Sequence, residues 1–134
     1  MLERRIEIRW RDMDAYGHVN NAVYLNYLED VRDAWVQEVL GQVSSSTWDF
    51  VLARVAIDYR SELTQDDGAI VVRCWLDSIG RSSLRTRETI VKLDGTLSAE
   101  AESVVVPRDP GTGASRPLTD AEREVLEREL SADA

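Results

Sequence analysis

Across its 134 residues the chain has one cysteine, one histidine, one lysine and three prolines, and each scarcity narrows what it can be. With Cys74 alone no intrachain disulfide can form, which suits a reducing compartment. No run approaches eighteen consecutive apolar residues, so no membrane-spanning helix is expected. The opening residues, MLERRIEIRW, alternate charge with isoleucine and lack an apolar signal-peptide core. These features point to a cytoplasmic protein with no membrane partner. Positive charge is also short, with 16 Lys and Arg against 25 Asp and Glu and a formal net charge of −9. Nucleic acid is therefore an unsuitable partner, because phosphate backbones demand positive surface. A small phosphorylated ligand needs only a few local arginines. Lys92 is the only lysine, and a GC-rich genome explains that bias as readily as phosphate recognition does.

What is present reads as a single domain over 1–134, with a core over 1–107 and a C-terminal loop and helix over 108–134. In 3–10 the residues Ile6, Ile8 and Trp10 share one parity, the period of a half-buried strand. A turn-like segment, DMDAYGHVN, follows. From Asn21 the apolar residues Tyr24, Leu28, Val31, Trp35 and Val39 recur at helical spacing, with Tyr27 and Ala34 beside them. So bulky a stripe predicts a largely buried helix, with Gly41 as its stop.

Four strand-like runs come next, at 50–60, 69–79, 83–93 and 96–106. In the first, Val51, Ala53, Val55, Ile57 and Tyr59 share a parity; the last two form a hairpin through Asp94–Gly95. All three prolines fall in the loop 107–117, and Thr119 with Glu122 has the spacing of a capping box for a terminal helix. One long apolar helix among consecutive strands has a simple solution, an α+β fold in which an antiparallel sheet curls around the helix. Its bare sheet edges favour pairing with a second copy.

The stretch between strand and helix carries more polar groups than capping requires. In RWRDMDAYGHVNNAVYLNYLEDVR the residues Arg9, Asp12, Asp14, Gly17, His18, Val19, Asn20, Asn21, Tyr24, Glu29 and Arg32 stand in order. This run resembles the N-terminal signature of the hotdog-fold acyl-CoA thioesterases, specifically the 4-hydroxybenzoyl-CoA thioesterase-like group. ARVAIDYRSEL and SIGRSSLRTRETI resemble later strands of that family, so the resemblance covers roughly residues 4–106. It implies a sheet of five or six antiparallel strands wrapped around one central helix, assembled as a homodimer or homotetramer. It implies hydrolysis of an acyl- or aroyl-CoA thioester entering between subunits, with no metal and no cofactor, coenzyme A being part of the substrate.

By the same resemblance Asp14 is the catalytic carboxylate, attacking the thioester or directing water onto it, and the Asn21 backbone N–H polarises the carbonyl. The chemistry agrees. A thiolate leaves easily, so a carboxylate serves as base or nucleophile without a serine triad. The start of a buried helix offers unpaired N–H groups and the positive end of a dipole to an oxyanion. Gly17 allows a sharp turn and close approach of backbone to substrate. Asn20 is the expected N-cap and a substrate contact.

Several residues keep a plainer reading. From its position alone Asp14 is an ordinary turn or capping carboxylate. Asp12 is assigned a structural role, ion-paired with Arg9 or Arg11. His18, the only histidine, is either a hydrogen-bonded support or a substrate contact. Tyr24 is a core residue or part of the acyl pocket, and Glu29 with Arg32 forms a helix-surface or interface pair at i,i+3. Arg54, Arg60 and Arg81 are candidates for the nucleotide end of coenzyme A, while Arg85 and Arg87 read as the solvent face of a strand. Two other functions fit the same fold: hydrolysis of an acyl carrier protein thioester, disfavoured by the charge of −9, and a non-catalytic acyl-CoA-binding module, disfavoured by the presence of Asp14.

Overall fold

The computed structural model describes residues 1–133; Ala134, the end of the expected C-terminal segment, lies outside the described residues. The elements are β1 (Leu2–Glu7), α1 (Asn21–Leu40), β2 (Phe50–Tyr59), β3 (Ala69–Ile79), β4 (Leu84–Lys92), β5 (Leu97–Pro107) and α2 (Asp120–Asp133). The strands make one antiparallel sheet in the order β1-β3-β4-β5-β2, so β1 and β2 are its edges. The sheet holds α1 in its concave face, as the resemblance implied.

The reason is the stripe read from the sequence. Tyr24, Tyr27, Leu28, Val31, Trp35 and Val39 are all buried, joined by Val36 and Leu40. Each such side chain contributes roughly 1.5–3 kcal/mol when withdrawn from water. They meet Ile70, Val72, Cys74 and Leu76 from β3 and Leu84 and Ile90 from β4. The helix packs on β1, β3 and β4, and α2 closes the core against β3 and α1.

Three expectations are corrected. First, β1 ends at Glu7; Ile8 turns inward, but Trp10 sits in a short 3-10 turn and is 81% exposed. Second, β2 has a bulge between Leu52 and Arg54, so the parity from Val55 to Tyr59 does not extend back to Val51 and Ala53. Third, Arg32 does not pair with Glu29. It is buried and reaches Glu88 on β4, Nη1 to Oε1 at 3.3 Å, and donates to the Ser103 hydroxyl at 3.2 Å. Thr86 and Ser103 donate to the same carboxylate, at 3.0 and 3.2 Å. Burial still raises the Glu88 carboxyl above its ordinary value, against the pull of Arg32 and the two hydroxyls.

The helix ends also follow from local chemistry. The Asn20 side chain accepts from the Ala22 N–H at 2.8 Å, the expected N-cap. Gly41 has φ −63°, so α1 passes into a 3-10 turn over Gly41–Val43 and does not reverse in a left-handed cap. At α2 the capping box is complete: Thr119 N–H donates to Glu122 Oε1 at 2.8 Å and Glu122 N–H donates to Thr119 Oγ1 at 3.1 Å.

Candidate active site

At the end of the sheet where β1 finishes and α1 begins, a cavity of about 200 Å³ is lined by Asp14, His18, Val19, Asn21, Tyr24, Tyr59, Arg60, Ser61 and Glu62. Three segments build it. The first, 12–20, is a tight loop closed on itself. Asp14 N–H donates to His18 O at 2.8 Å, and Gly17 N–H donates to Asp14 O at 3.2 Å. Gly17 has φ +83°, a conformation that side chains resist, which is why glycine stands there.

Within this loop the two carboxylates separate. Asp12 is buried and wholly occupied. Its Oδ2 accepts from Arg9 N–H at 2.9 Å and from the Tyr27 hydroxyl at 2.7 Å, while Oδ1 lies 3.4 Å from the Arg9 guanidinium. Burial alone would raise the Asp12 carboxyl; the Arg9 N–H, the Tyr27 hydroxyl and the Arg9 charge outweigh it and hold the group below the usual carboxylate range. This is the structural role expected, with Arg9 as the partner. Asp14 instead faces the cavity. Its Oδ1 accepts from Tyr16 N–H at 2.9 Å and His18 N–H at 3.3 Å, and Oδ2 has no hydrogen bond among the described residues.

The second segment is the first turn of α1. Ala22 N–H is taken by the Asn20 side chain and Val23 N–H by the Asn20 carbonyl. Asn21 N–H finds no acceptor among the described residues. It is a free donor at the positive end of a twenty-residue helix, beside Asp14.

The third segment follows β2. The Tyr59 hydroxyl donates to Asn21 O at 2.9 Å, and its ring meets Tyr24 edge-on at 5.0 Å between centroids. Leu63 N–H donates to the Tyr24 hydroxyl at 3.1 Å, and Val19 N–H donates to Leu63 O at 2.8 Å. A bulge in β5 leaves Ser98 out of the ladder with β4, and its carbonyl accepts from Arg60 and Ser61 N–H at 2.8 and 3.1 Å. The cavity wall is thereby fixed to strand, helix and loop together.

Of the residues expected at the site, the fold brings together Asp14, His18, Asn21, Tyr24 and Arg60. Gly17 shapes the loop without lining the cavity, and Asn20 is engaged in capping. Arg60 is paired with Glu100 at 2.8 Å and Asp58 at 3.7 Å. Arg54 and Arg81 lie elsewhere in the chain. Arg54 stands within β2, 3.7 Å from Glu102, and Arg81 is in the turn after β3, its carbonyl accepting from Leu118 N–H. Arg85 and Arg87 lie on the outer sheet face with Glu102 and Asp77. Periodicity overlooked Tyr59 as a cavity wall, Ser61, and Glu62, whose Oε2 lies 2.9 Å from His18 Nε2. The only signal for Glu62 was its place just after a strand ending beside the helix start. Among the described residues no group of three or more His, Cys, Asp or Glu is placed to hold a metal ion.

Known proteins share this architecture. Residues 8–128 match the family model described as the thioesterase-like superfamily, beyond the 4–106 over which the motifs were legible. The long-chain acyl-CoA thioesterase FadM of Escherichia coli is 28% identical over 133 residues, covering 95% of this chain and 98% of that protein. A thioesterase from Thermus thermophilus, crystallised with coenzyme A and zinc, superposes with a TM-score of 0.83 at 31% identity, covering 96% and 94% of the two chains. The probable thioesterase YbaW of Escherichia coli gives a TM-score of 0.84 at 26% identity over 97% and 99%.

Proposed function

The chain belongs to the thioesterase-like superfamily, and from that premise we propose that it hydrolyses an acyl-CoA thioester to the free acid and coenzyme A. The observation that carries the reading is the juxtaposition of a half-engaged carboxylate, Asp14, with the unpaired Asn21 N–H on one cavity. Two backbone donors orient Asp14 through Oδ1, leaving Oδ2 to attack the thioester carbonyl or direct water onto it. As charge moves to the carbonyl oxygen, Asn21 N–H receives it at the helix terminus, where a fixed donor needs no reorganisation. A long acyl chain is the first substrate to try, by likeness to the Escherichia coli enzyme. No cofactor is required, and the single buried Cys74 suits the cytoplasm.

The working unit is a homodimer or homotetramer. In support, β2 is a ten-residue edge strand whose Val51 and Leu52 are 40% and 41% exposed, a surface that a single copy leaves uncovered.

Thiol release from acyl-CoA thioesters of graded chain length, measured for the wild type and Asp14→Asn, tests the reading. Asn keeps the shape and removes the basicity, so turnover should fall about 100-fold or more in a folded variant. Equal rates would remove Asp14 from the chemistry.

A further inference from the structure

Glu62 lies in an irregular segment, yet both its flanks are pinned. On one side Arg60 and Ser61 are bound to Ser98, whose hydroxyl also donates to Ser61 O at 2.6 Å. On the other, Leu63 is held by Tyr24 and Val19. The side chain between these anchors meets His18, Oε2 to Nε2 at 2.9 Å. The nearby cation Arg60 is engaged by Glu100 and Asp58. The His18 backbone is fixed in turn, its N–H on Asp14 Oδ1 and its carbonyl accepting from Asp14 N–H. Asp14, His18 and Glu62 thus all line the cavity, His18 joined to Asp14 through its backbone and to Glu62 through its ring.

The chemistry of that arrangement is directional. An ionised carboxylate only accepts, so its approach to within 2.9 Å of Nε2, between side chains 43% and 63% exposed, favours the proton on that nitrogen, and in the neutral ring Nδ1 is then the accepting one. Nδ1 has no hydrogen-bond partner among the described residues. We propose that Glu62 is a positioning residue that holds His18 with its proton on Nε2, so that Nδ1 takes a proton from the water that completes hydrolysis. The role rests on the thioesterase reading above, with Asp14 attacking first and releasing the coenzyme A thiolate. The water oxygen then bonds to the acyl carbon as one water proton passes to Nδ1. The bond from that carbon to the Asp14 oxygen breaks, freeing the carboxylate. The imidazolium gives its proton to the thiolate, leaving acid and thiol as products.

His18 is the only histidine, so imidazole 15N signals of the full chain report this ring alone. Where the 15N shifts themselves show the ring to be neutral, the wild type should show the Nε2–H tautomer. Glu62→Ala should convert it to a mixture and lower kcat for a long-chain acyl-CoA roughly 10- to 100-fold, with KM little changed. Glu62→Gln, whose amide oxygen still accepts from Nε2–H, should keep the tautomer and recover most of kcat. In a His18→Ala background Glu62→Ala should have no further effect. Turnover by the wild type together with 15N signals unchanged in Glu62→Ala would overturn the role of Glu62 alone. So would an equal loss of kcat with and without His18. No thiol release by the wild type from any acyl-CoA would overturn the hydrolase reading and this role with it.

Discussion

Arg32 and Glu88 are the most consequential buried side chains outside the cavity. Both are almost fully withdrawn from water, and the pair links the central helix to the middle of the sheet. Such a pair is costly to half-remove, because the survivor is a buried charge without a counterion. Arg32→Ala should lower the unfolding free energy by about 3–5 kcal/mol, and the joint change Arg32→Met with Glu88→Leu by much less. Urea denaturation of the three proteins checks this. The sequence offered Glu29 as the partner of Arg32 because the i,i+3 rule sees only one helix. Glu88 is 56 residues away and becomes visible only once β4 is known to lie beneath α1. The Asn20 cap and the unpaired Asn21 N–H were legible for the opposite reason, since capping and helix-start chemistry act within a few residues, whereas Asp14 was singled out only by the family resemblance.

At the scale of elements, α2 is anchored by Glu122. Its carboxylate receives two bonds from Arg116, both at 2.8 Å, one from Thr119 N–H and one from the Trp48 indole at 2.5 Å. Burial would raise this carboxyl, but Arg116, the Thr119 N–H and Trp48 together bring it down to about 2. A folded value below the unfolded 4.5 means that the stabilisation is complete above pH 4.5 and is lost as pH falls toward 2. The amount is on the order of 3 kcal/mol. Glu122→Gln should therefore be less stable than the wild type at pH 7 and should lose less on acidification, read from urea midpoints at pH 7 and pH 3. The capping box that places Glu122 was legible from two residues, whereas its contacts with Trp48 and Arg116 were not. Strand periods behaved similarly: they located β3, β4 and β5, but the bulge at Ala53 broke the parity of β2, and nothing local to Trp10 marked the early end of β1.

For the molecule as a whole, the edge strand β2 is the surface on which the proposed pairing with a second copy would act. An edge of ten residues with exposed Val51 and Leu52 invites another strand, and a lysine there is a natural deterrent. If the proposed dimer or tetramer pairs through β2, Leu52→Lys should convert it to monomer in light scattering while leaving its circular dichroism intact. An unchanged mass would move the interface away from β2.

The bond from the Tyr59 hydroxyl to Asn21 O, with those joining Leu63 to Tyr24 and Val19, ties the cavity walls to one another before any ligand arrives. A ligand entering there has little chain to immobilise, so the entropy of ordering, usually about 1–2 kcal/mol for each backbone residue fixed, is already spent in folding. Amide hydrogens of Arg60, Ser61 and Leu63 should accordingly exchange slowly in the free protein and change little on adding coenzyme A, and binding should proceed in a single kinetic phase without a slow closing step.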